Sequence, residues 1–317
     1  MSALDQTIAA REAAPSGYTR QATFVFILGM HRCGTSCLAG SLERCGLFLG
    51  DVSRSNVSNA RGTHELSEVR RAHGQILRAN GGSWRHPPAE ITVDARQKRV
   101  LRRIATSFSG YEPCGIKDPR FLLLLEHWLA IVDSFTLVGT FRHPIAAARS
   151  LHARAPRSPF PEEEAYQLWL RYNGELVRWH KVYQFPIIEF DLSDAETYLR
   201  SVATLALEMG LRPDMDRLRE FVSSTLDHHR DLKDPVPDVC QEMYAYLRQH
   251  SYQPDVSDAA FIAQWAKYQR KADVRKPASQ KRRWKPLRLL RLQSRLPGAV
   301  RPLLRPLVRL VRRLTGY

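Results

Sequence analysis

Residues 23–36 read TFVFILGMHRCGTS, and this stretch decides the fold class. Thr23–Leu28 is a continuous run of apolar and β-branched residues, which predicts a strand buried in a parallel sheet. The run ends at Gly29, and a helical pattern begins near Thr35 and continues to about Cys45. A strand, a glycine loop and a helix in this order can cradle a phosphate, because backbone N–H groups and the helix N-terminus converge on the anion. The alternative is a tight turn that binds no ligand.

Strand and helix patterns alternate along the rest of the chain. The predicted strands are Pro113–Lys117, Phe135–Phe141 and Pro186–Phe190. The predicted helices are Glu65–Ala79, Asp94–Phe108, Arg120–Val132, Ile145–Ala153, Glu162–Tyr183, Ala195–Met209, Met215–Leu226, Val239–Arg248 and Ala259–Lys271. This order predicts an α/β fold of three layers, a mainly parallel sheet of the P-loop nucleotide-binding type with helices on both faces. We expect a flexible leader over 1–20, one domain over 21–272 with a helical part from about 194, and a tail over 273–317.

The loop differs from that of nucleoside triphosphatases. Gly29 and Gly34 have the G-x4-G spacing, but Thr35 follows where the pattern G-x4-G-K-[ST] requires lysine. The cation lies inside the loop instead, at Arg32, and Ser36 adds a second hydroxyl. The residue types still favour an anionic ligand.

A second anion-binding segment follows the predicted strand Phe135–Phe141. The strand leads directly into Arg142, and Ser150 lies about two turns into the next helix, which begins near Pro144. Arginine offers a forked pair of donors to a phosphate group. The alternative is an arginine that caps the strand and a serine that faces solvent.

Both segments resemble sulfotransferases that use 3′-phosphoadenosine-5′-phosphosulfate (PAPS). Residues 29–36 are similar to the family's 5′-phosphosulfate loop, and Arg142 with Ser150 is similar to its 3′-phosphate segment. Cys33 stands where the family commonly has serine. Weaker likenesses are Gly81–Trp84, Ile116–Arg120 and Pro186–Leu192, so the resemblance covers roughly residues 23–230.

The resemblance implies an enzyme that transfers a sulfuryl group from PAPS to a hydroxyl or amine, and it implies no metal. The donor-binding residues that it implies are His31, Arg32, Cys33, Gly34, Thr35, Ser36, Arg142 and Ser150. The resemblance also implies a catalytic role for Arg32, which would neutralise charge on the leaving phosphate. The alternative for His31 is a packed or exposed loop histidine that does not contact the donor. The acceptor is expected to be a glycan or glycolipid, and its identity stays open, as does the oligomeric state.

Acceptor activation needs a base within hydrogen-bond reach of the acceptor. Glu65 follows a Gly-Thr-His sequence in the neighbourhood where the family has its usual base, and His64 is a competitor. The alternative for Glu65 is a carboxylate that complements a helix dipole. Lys117 is a candidate contact for the sulfate group, and Trp84 lines the acceptor cleft or belongs to the core.

Positive charge is concentrated at the C-terminal end. The net charge is +16, yet no acidic residue follows Asp273, and 14 of the basic residues lie between Arg275 and Arg313. Residues 1–274 hold 34 basic and 32 acidic side chains and are nearly neutral. The tail alternates arginine with leucine and valine in a helical pattern, which favours an anionic membrane surface as partner. The alternative is a solvated tail or one that binds another partner. Nucleic acid is disfavoured because only Trp284 and Tyr317 are aromatic there.

Five cysteines and an N-terminal segment without an apolar core predict a cytoplasmic protein with reduced thiols. The tail leaves open a peripheral position on the inner face of the membrane. Two other functions are compatible with a phosphate loop. One is a P-loop kinase, which the missing lysine at Thr35 opposes, and the other is a non-catalytic adaptor at the membrane surface that retains the loop.

Overall fold

The computed structural model describes residues 24–54, 62–154, 160–223 and 234–254. Within these ranges the strands are β1 (Phe24–Leu28), β2 (Cys114–Lys117), β3 (Phe135–Phe141) and β4 (Ile187–Glu189). The helices are α1 (Thr35–Arg44), α2 (Ser67–Ala79), α3 (Ala95–Thr106), α4 (Phe121–Leu129), α5 (Pro144–Arg154), α6 (Glu162–Tyr183), α7 (Ala195–Glu208), α8 (Met215–Ser223) and α9 (Asp238–Gln249). No helix among the described residues is long and apolar enough to span a bilayer.

The four strands form one parallel sheet in the order β2-β1-β3-β4. The central strand β1 is buried along its whole length, because it has a neighbour on each side and helices cover both faces of the sheet. The α/β fold class predicted from the sequence is therefore confirmed.

The two faces of the sheet carry different helices. Phe26 of β1 packs against Phe121 and Trp128 of α4, with ring centroids 5.2 and 6.1 Å away. Helix α6 packs on β3 and α4 on this same face. Helix α1 packs on the opposite face, with α7 and α8 beside it. Large apolar side chains fill the layers, and Trp128, Trp169 and Trp179 are fully buried.

The predicted elements agree closely with the observed ones in the described ranges. The strand predicted over Pro186–Phe190 is observed as Ile187–Glu189, but the carbonyl of Pro186 and the N–H of Phe190 both bond to β3 as well. The five cysteines are free and buried. The leader 1–20, the helix Ala259–Lys271 and the tail 273–317 lie outside the described residues.

The carboxyl ends of β1, β2 and β3 lie at one edge of the sheet because the strands are parallel. The segments that follow them, beginning at Gly29, Asp118 and Arg142, therefore meet at this edge. This edge is the usual place for a ligand in an open α/β sheet.

Candidate active site

The loop after β1 turns sharply before α1. Arg32 and Gly34 both have left-handed backbone conformations, with φ of 68° and 83°. Gly34 is the N-cap of α1, so the amides of Thr35 and Ser36 lie in its first turn, where helical N–H groups have no partner within the helix. The helix dipole points its positive end at the same place. Both features would favour an anion at this point.

Two glycines permit this geometry through close contacts with neighbouring strands. A Cβ at Gly29 would lie 2.5 Å from the carbonyl oxygen of Thr140. A Cβ at Gly34 would lie 2.3 Å from the ring of Phe190, in a conformation that side chains rarely adopt. The loop therefore needs glycine at both positions.

The segment that follows β3 contacts the loop directly. The guanidinium Nε of Arg32 donates to the hydroxyl of Ser150 over 2.8 Å, and Ser150 is only 5 % exposed. Arg142 follows β3 and is also buried, with its guanidinium carbon 5.3 Å from the centre of the Phe190 ring. The two segments are 118 residues apart in sequence and form one cluster of donors.

A buried ion pair lies beside the loop. Lys117 Nζ is 2.9 Å from Glu65 Oε1, and both side chains are buried. Lys117 also donates to the carbonyl oxygen of Thr63 at 2.9 Å and to the hydroxyl of Ser36 at 3.3 Å. The second carboxylate oxygen of Glu65 accepts no hydrogen bond from the residues that the structure describes. Lys117 and Glu65 are therefore connected to the phosphate loop through Ser36.

His64 lies apart from this pair despite being adjacent to Glu65 in sequence. Its left-handed backbone, with φ of 50°, directs the buried ring toward α1. There Nδ1 is 3.2 Å from Glu43, and the ring meets Phe221 edge-on. Burial alone would raise the pKa of Glu43, but contacts with His64 and Arg54 lower it below its ordinary value.

Two other loop residues point into the protein. The side chain of Cys33 is fully buried, and burial raises the pKa of its thiol to about 12 although Arg142 and Arg32 lie nearby. The carbonyl of Cys33 accepts a hydrogen bond from Thr140. The ring of His31 packs at a tilt against Trp84, with ring centroids 4.5 Å apart, and meets Tyr172 edge-on.

A buried polar network supports the segment after β2. The indole N–H of Trp128 donates to Nε2 of His73 at 2.8 Å, so the ring proton lies on Nδ1, 3.4 Å from Asp118. Arg120 closes the network with a forked contact to the same carboxylate. Burial lowers the pKa of His73, whereas Arg120 and His73 overcome burial and hold the pKa of Asp118 well below its ordinary value. The network fixes Arg120 in one orientation.

The sequence analysis missed a pocket of about 420 Å³ beside the loop. We call it the arginine pocket; Arg70, Arg71, Gly74, Arg78, Ser83, Trp84 and Arg120 line it. Arg70, Gly74 and Arg78 are four residues apart on α2 and so share one side of the helix. That spacing does not by itself predict a pocket, which also needs Trp84 and Arg120 from other segments.

Comparison with known proteins finds similarity only at the level of structure. No protein-family profile matches the chain, and no curated protein matches it. The sulfotransferase domain of the Synechococcus PCC 7002 olefin synthase is 15 % identical, with 83 % of this chain and 99 % of that one covered and a TM-score of 0.38. Sulfotransferase STF9 from Mycobacterium avium is 14 % identical, with 85 % and 80 % covered and a TM-score of 0.29. Both neighbours are sulfotransferases. Because both TM-scores are below 0.5, a function for this chain has to be supported by its own site.

Proposed function

We propose that this protein transfers a sulfuryl group from PAPS to a hydroxyl or amine acceptor. The observation that carries the proposal is the hydrogen bond from Arg32 to Ser150. It joins the loop suited to a 5′-phosphosulfate and the segment suited to a 3′-phosphate into one site. A nucleotide with phosphates at both its 5′ and 3′ positions fits such a pair of donor clusters.

The residues of this site have complementary roles toward the donor. The first-turn amides and the hydroxyls of Thr35 and Ser36 would hold the 5′-phosphate, with Arg32 neutralising the charge that grows on it. Arg142 would bind the 3′-phosphate through its forked donors, together with Ser150. Ser150 accepts from Arg32, so its own O–H would remain able to donate to a phosphate oxygen.

Transfer to the acceptor forms one bond to sulfur and breaks another. The acceptor oxygen forms a bond to sulfur while the bond from sulfur to the 5′-phosphate oxygen breaks. The acceptor proton passes to the Glu65 carboxylate, whose Oε1 is held by Lys117 at 2.9 Å. The ammonium group of Lys117 lies next to Ser36 and would stabilise negative charge on the moving group. The products are the sulfated acceptor and 3′-phosphoadenosine-5′-phosphate (PAP).

The residue types oppose a kinase function at the same site. Thr35 follows Gly34 where a P-loop kinase has its phosphate-binding lysine. The strand β3 leads into Arg142, whereas a strand that supplies a magnesium-binding aspartate would end in an acidic residue.

Calorimetric titration of the full chain with PAP, and separately with ATP–Mg²⁺, tests the proposal. We expect PAP to bind without added metal and more tightly than ATP–Mg²⁺. Arg142→Ala is expected to weaken PAP binding about tenfold or more, because a charge-assisted contact is lost. Arg178→Ala is the matched control, since Arg178 lies on the exposed side of α6.

Two results would contradict the proposal. Preference for ATP–Mg²⁺ would support a kinase, and failure to bind either nucleotide would support the non-catalytic adaptor. Equal effects of Arg142→Ala and Arg178→Ala would show that the 3′-phosphate site is misassigned.

A further inference from the structure

The arginine pocket concentrates positive charge without matching carboxylates. Of its four arginines, Arg120 alone pairs with an acidic side chain, Asp118. Arg70, Arg71 and Arg78 form no ion pair with any residue in the described ranges. All three of these residues are exposed and therefore accessible to a ligand. A cluster of this kind is stabilised when an anion enters it.

The shape of the pocket suits a ligand with several polar groups. Its volume of about 420 Å³ falls within the usual range of small-molecule sites. Gly74 forms part of the wall, and a Cβ there would lie 3.4 and 3.9 Å from the guanidinium nitrogens of Arg78 and Arg120. The missing side chain thus leaves room between two guanidinium groups. Ser83 adds a hydroxyl and Trp84 an aromatic surface.

The pocket adjoins the transfer site. Trp84 packs against His31 of the phosphate loop, and its carbonyl accepts a hydrogen bond from Tyr172. Arg120 follows Lys117 by three residues and is held in place by Asp118. The negative charge of Glu65 acts on Arg120 as well. Arg120 therefore belongs to the pocket and also lies within electrostatic range of Glu65.

We infer that the acceptor is itself an anion, a hydroxyl compound that carries phosphate, sulfate or carboxylate groups which the arginine pocket binds. Guanidinium groups bind all three oxyanions through paired hydrogen bonds. The inference rests on the proposed function, since it assigns this pocket to the acceptor of the same transfer. It narrows the acceptor from glycans in general to acidic ones.

Titration of the PAP-saturated full chain at constant ionic strength tests the inference. The probes are glucose, glucose 6-phosphate, glucose 6-sulfate and glucuronate, which differ in the charged group alone. We expect at least one charged sugar to bind about tenfold or more tightly than glucose. The charged sugar that binds best identifies the oxyanion that the acceptor carries.

Variants assign that binding to the pocket. The double variant Arg70→Gln/Arg78→Gln is expected to weaken the charged sugar about tenfold or more while PAP affinity is unchanged. Arg102→Gln removes an exposed arginine from α3 outside the pocket and is expected to leave both affinities unchanged.

The outcomes separate this inference from the proposed function. The inference is overturned if no charged sugar binds more tightly than glucose, or if the double variant keeps wild-type affinity. Failure of the wild type to bind PAP would instead refute the proposed function. In that case the same sugars are titrated without PAP. If Arg70→Gln/Arg78→Gln then changes the affinity for the charged sugar no more than Arg102→Gln does, the pocket assignment is overturned as well.

Discussion

Glu65 and Lys117 illustrate how two charges can be buried together, here at the proposed site of group transfer. The pair is 2.9 Å apart, and Lys117 has two further acceptors in Thr63 and Ser36. A buried ion pair needs such additional hydrogen bonds, because desolvation opposes its Coulombic attraction. The same contacts fix the carboxylate next to the phosphate loop.

Glu65→Gln tests the role of this carboxylate as base. Glutamine keeps an oxygen that can accept from Lys117, so we expect the fold and PAP affinity to persist. Turnover is expected to fall about 10²- to 10⁴-fold, because the proton acceptor is lost. The measurement is the rate of PAP formation from PAPS with an acceptor that the wild type sulfates. Glu68→Gln, in the first turn of α2, is the control. Full activity of Glu65→Gln would exclude Glu65 as the base.

His73 links stability to pH through its buried ring. Because burial depresses its pKa below the ordinary value of 6.5, the folded state favours the neutral ring. The unfolded chain binds a proton as the pH falls below about 6.5, whereas the folded protein does not. The stabilisation is thus present above this pH and is lost as the pH falls toward the folded pKa.

We therefore expect the free energy of unfolding to decrease between pH 7.5 and 5.5 in urea denaturation. One titrating group contributes at most about 1.4 kcal/mol per pH unit. His73→Phe is expected to be less stable at pH 7.5, because Trp128 loses its acceptor, and to show a shallower decrease than the wild type. Identical slopes for the two proteins would contradict the assignment.

At the scale of elements, the strand–loop–helix unit could be predicted from the sequence. The elements that surround it could be predicted only in part. The apolar run through Leu28 and the loop at Gly34 identify β1 and α1, since buried parallel strands and phosphate loops have strong local patterns. The sequence leaves open whether Ser150 faces the sheet or solvent, and in the structure it is buried. The pairing of Lys117 with Glu65 could not be predicted from the sequence, because it depends on how β2 lies beside the segment before α2.

Side-chain direction was the least predictable property of the site. His64 and Glu65 are adjacent, but the left-handed backbone of His64 turns its ring toward Glu43. The arginines of α2 have an ordinary exposed helical pattern, and only the packing of Arg120 and Trp84 beside them forms a pocket. Tertiary contacts determine both features, so a reading of local patterns does not find them.

Two glycine substitutions test these elements, because one is expected to lower the stability of the protein and the other to raise it. Gly34→Ala forces a Cβ to within 2.3 Å of the Phe190 ring at a φ of +83°, and we expect a loss of about 2 kcal/mol or more with weakened PAP binding. Gly74→Ala lies inside α2, where its Cβ would make ordinary contacts. A gain of about 0.5–1 kcal/mol is expected, because alanine favours helix.

Urea denaturation with calorimetric titration of PAP measures both effects. Gly74→Ala should leave PAP affinity unchanged, since it lies outside the phosphate loop. A stable Gly34→Ala protein with normal PAP affinity would contradict the description of the loop.

At the scale of the whole molecule, charge divides the chain into a nearly neutral body and a cationic tail. Residues 275–317 hold 14 basic and no acidic side chains. We propose that the tail binds anionic membrane surfaces, since each cation near such a surface contributes about 1 kcal/mol.

Sedimentation of the full chain with lipid vesicles tests this proposal. We expect binding to vesicles that contain phosphatidylserine and not to pure phosphatidylcholine. Replacing Arg305, Arg309, Arg312 and Arg313 by glutamine should weaken binding by about a hundredfold or more. The matched control replaces the exposed Arg96, Arg99, Arg102 and Arg103 of α3 by glutamine. Equal effects of both fourfold variants would show that overall charge, and not the tail, determines binding.

The central claim is that the phosphate loop and the segment after β3 form one site for a nucleotide with a 3′-phosphate. The most direct measurement compares the affinities of PAP and AMP, which differ in that phosphate alone. We predict that the wild type binds PAP about a hundredfold more tightly, because Arg142 and Ser150 contribute charge-assisted hydrogen bonds. In Arg142→Ala/Ser150→Ala the two affinities should become nearly equal. Equal affinities in the wild type, or a preference for PAP that survives in the double variant, would contradict the claim.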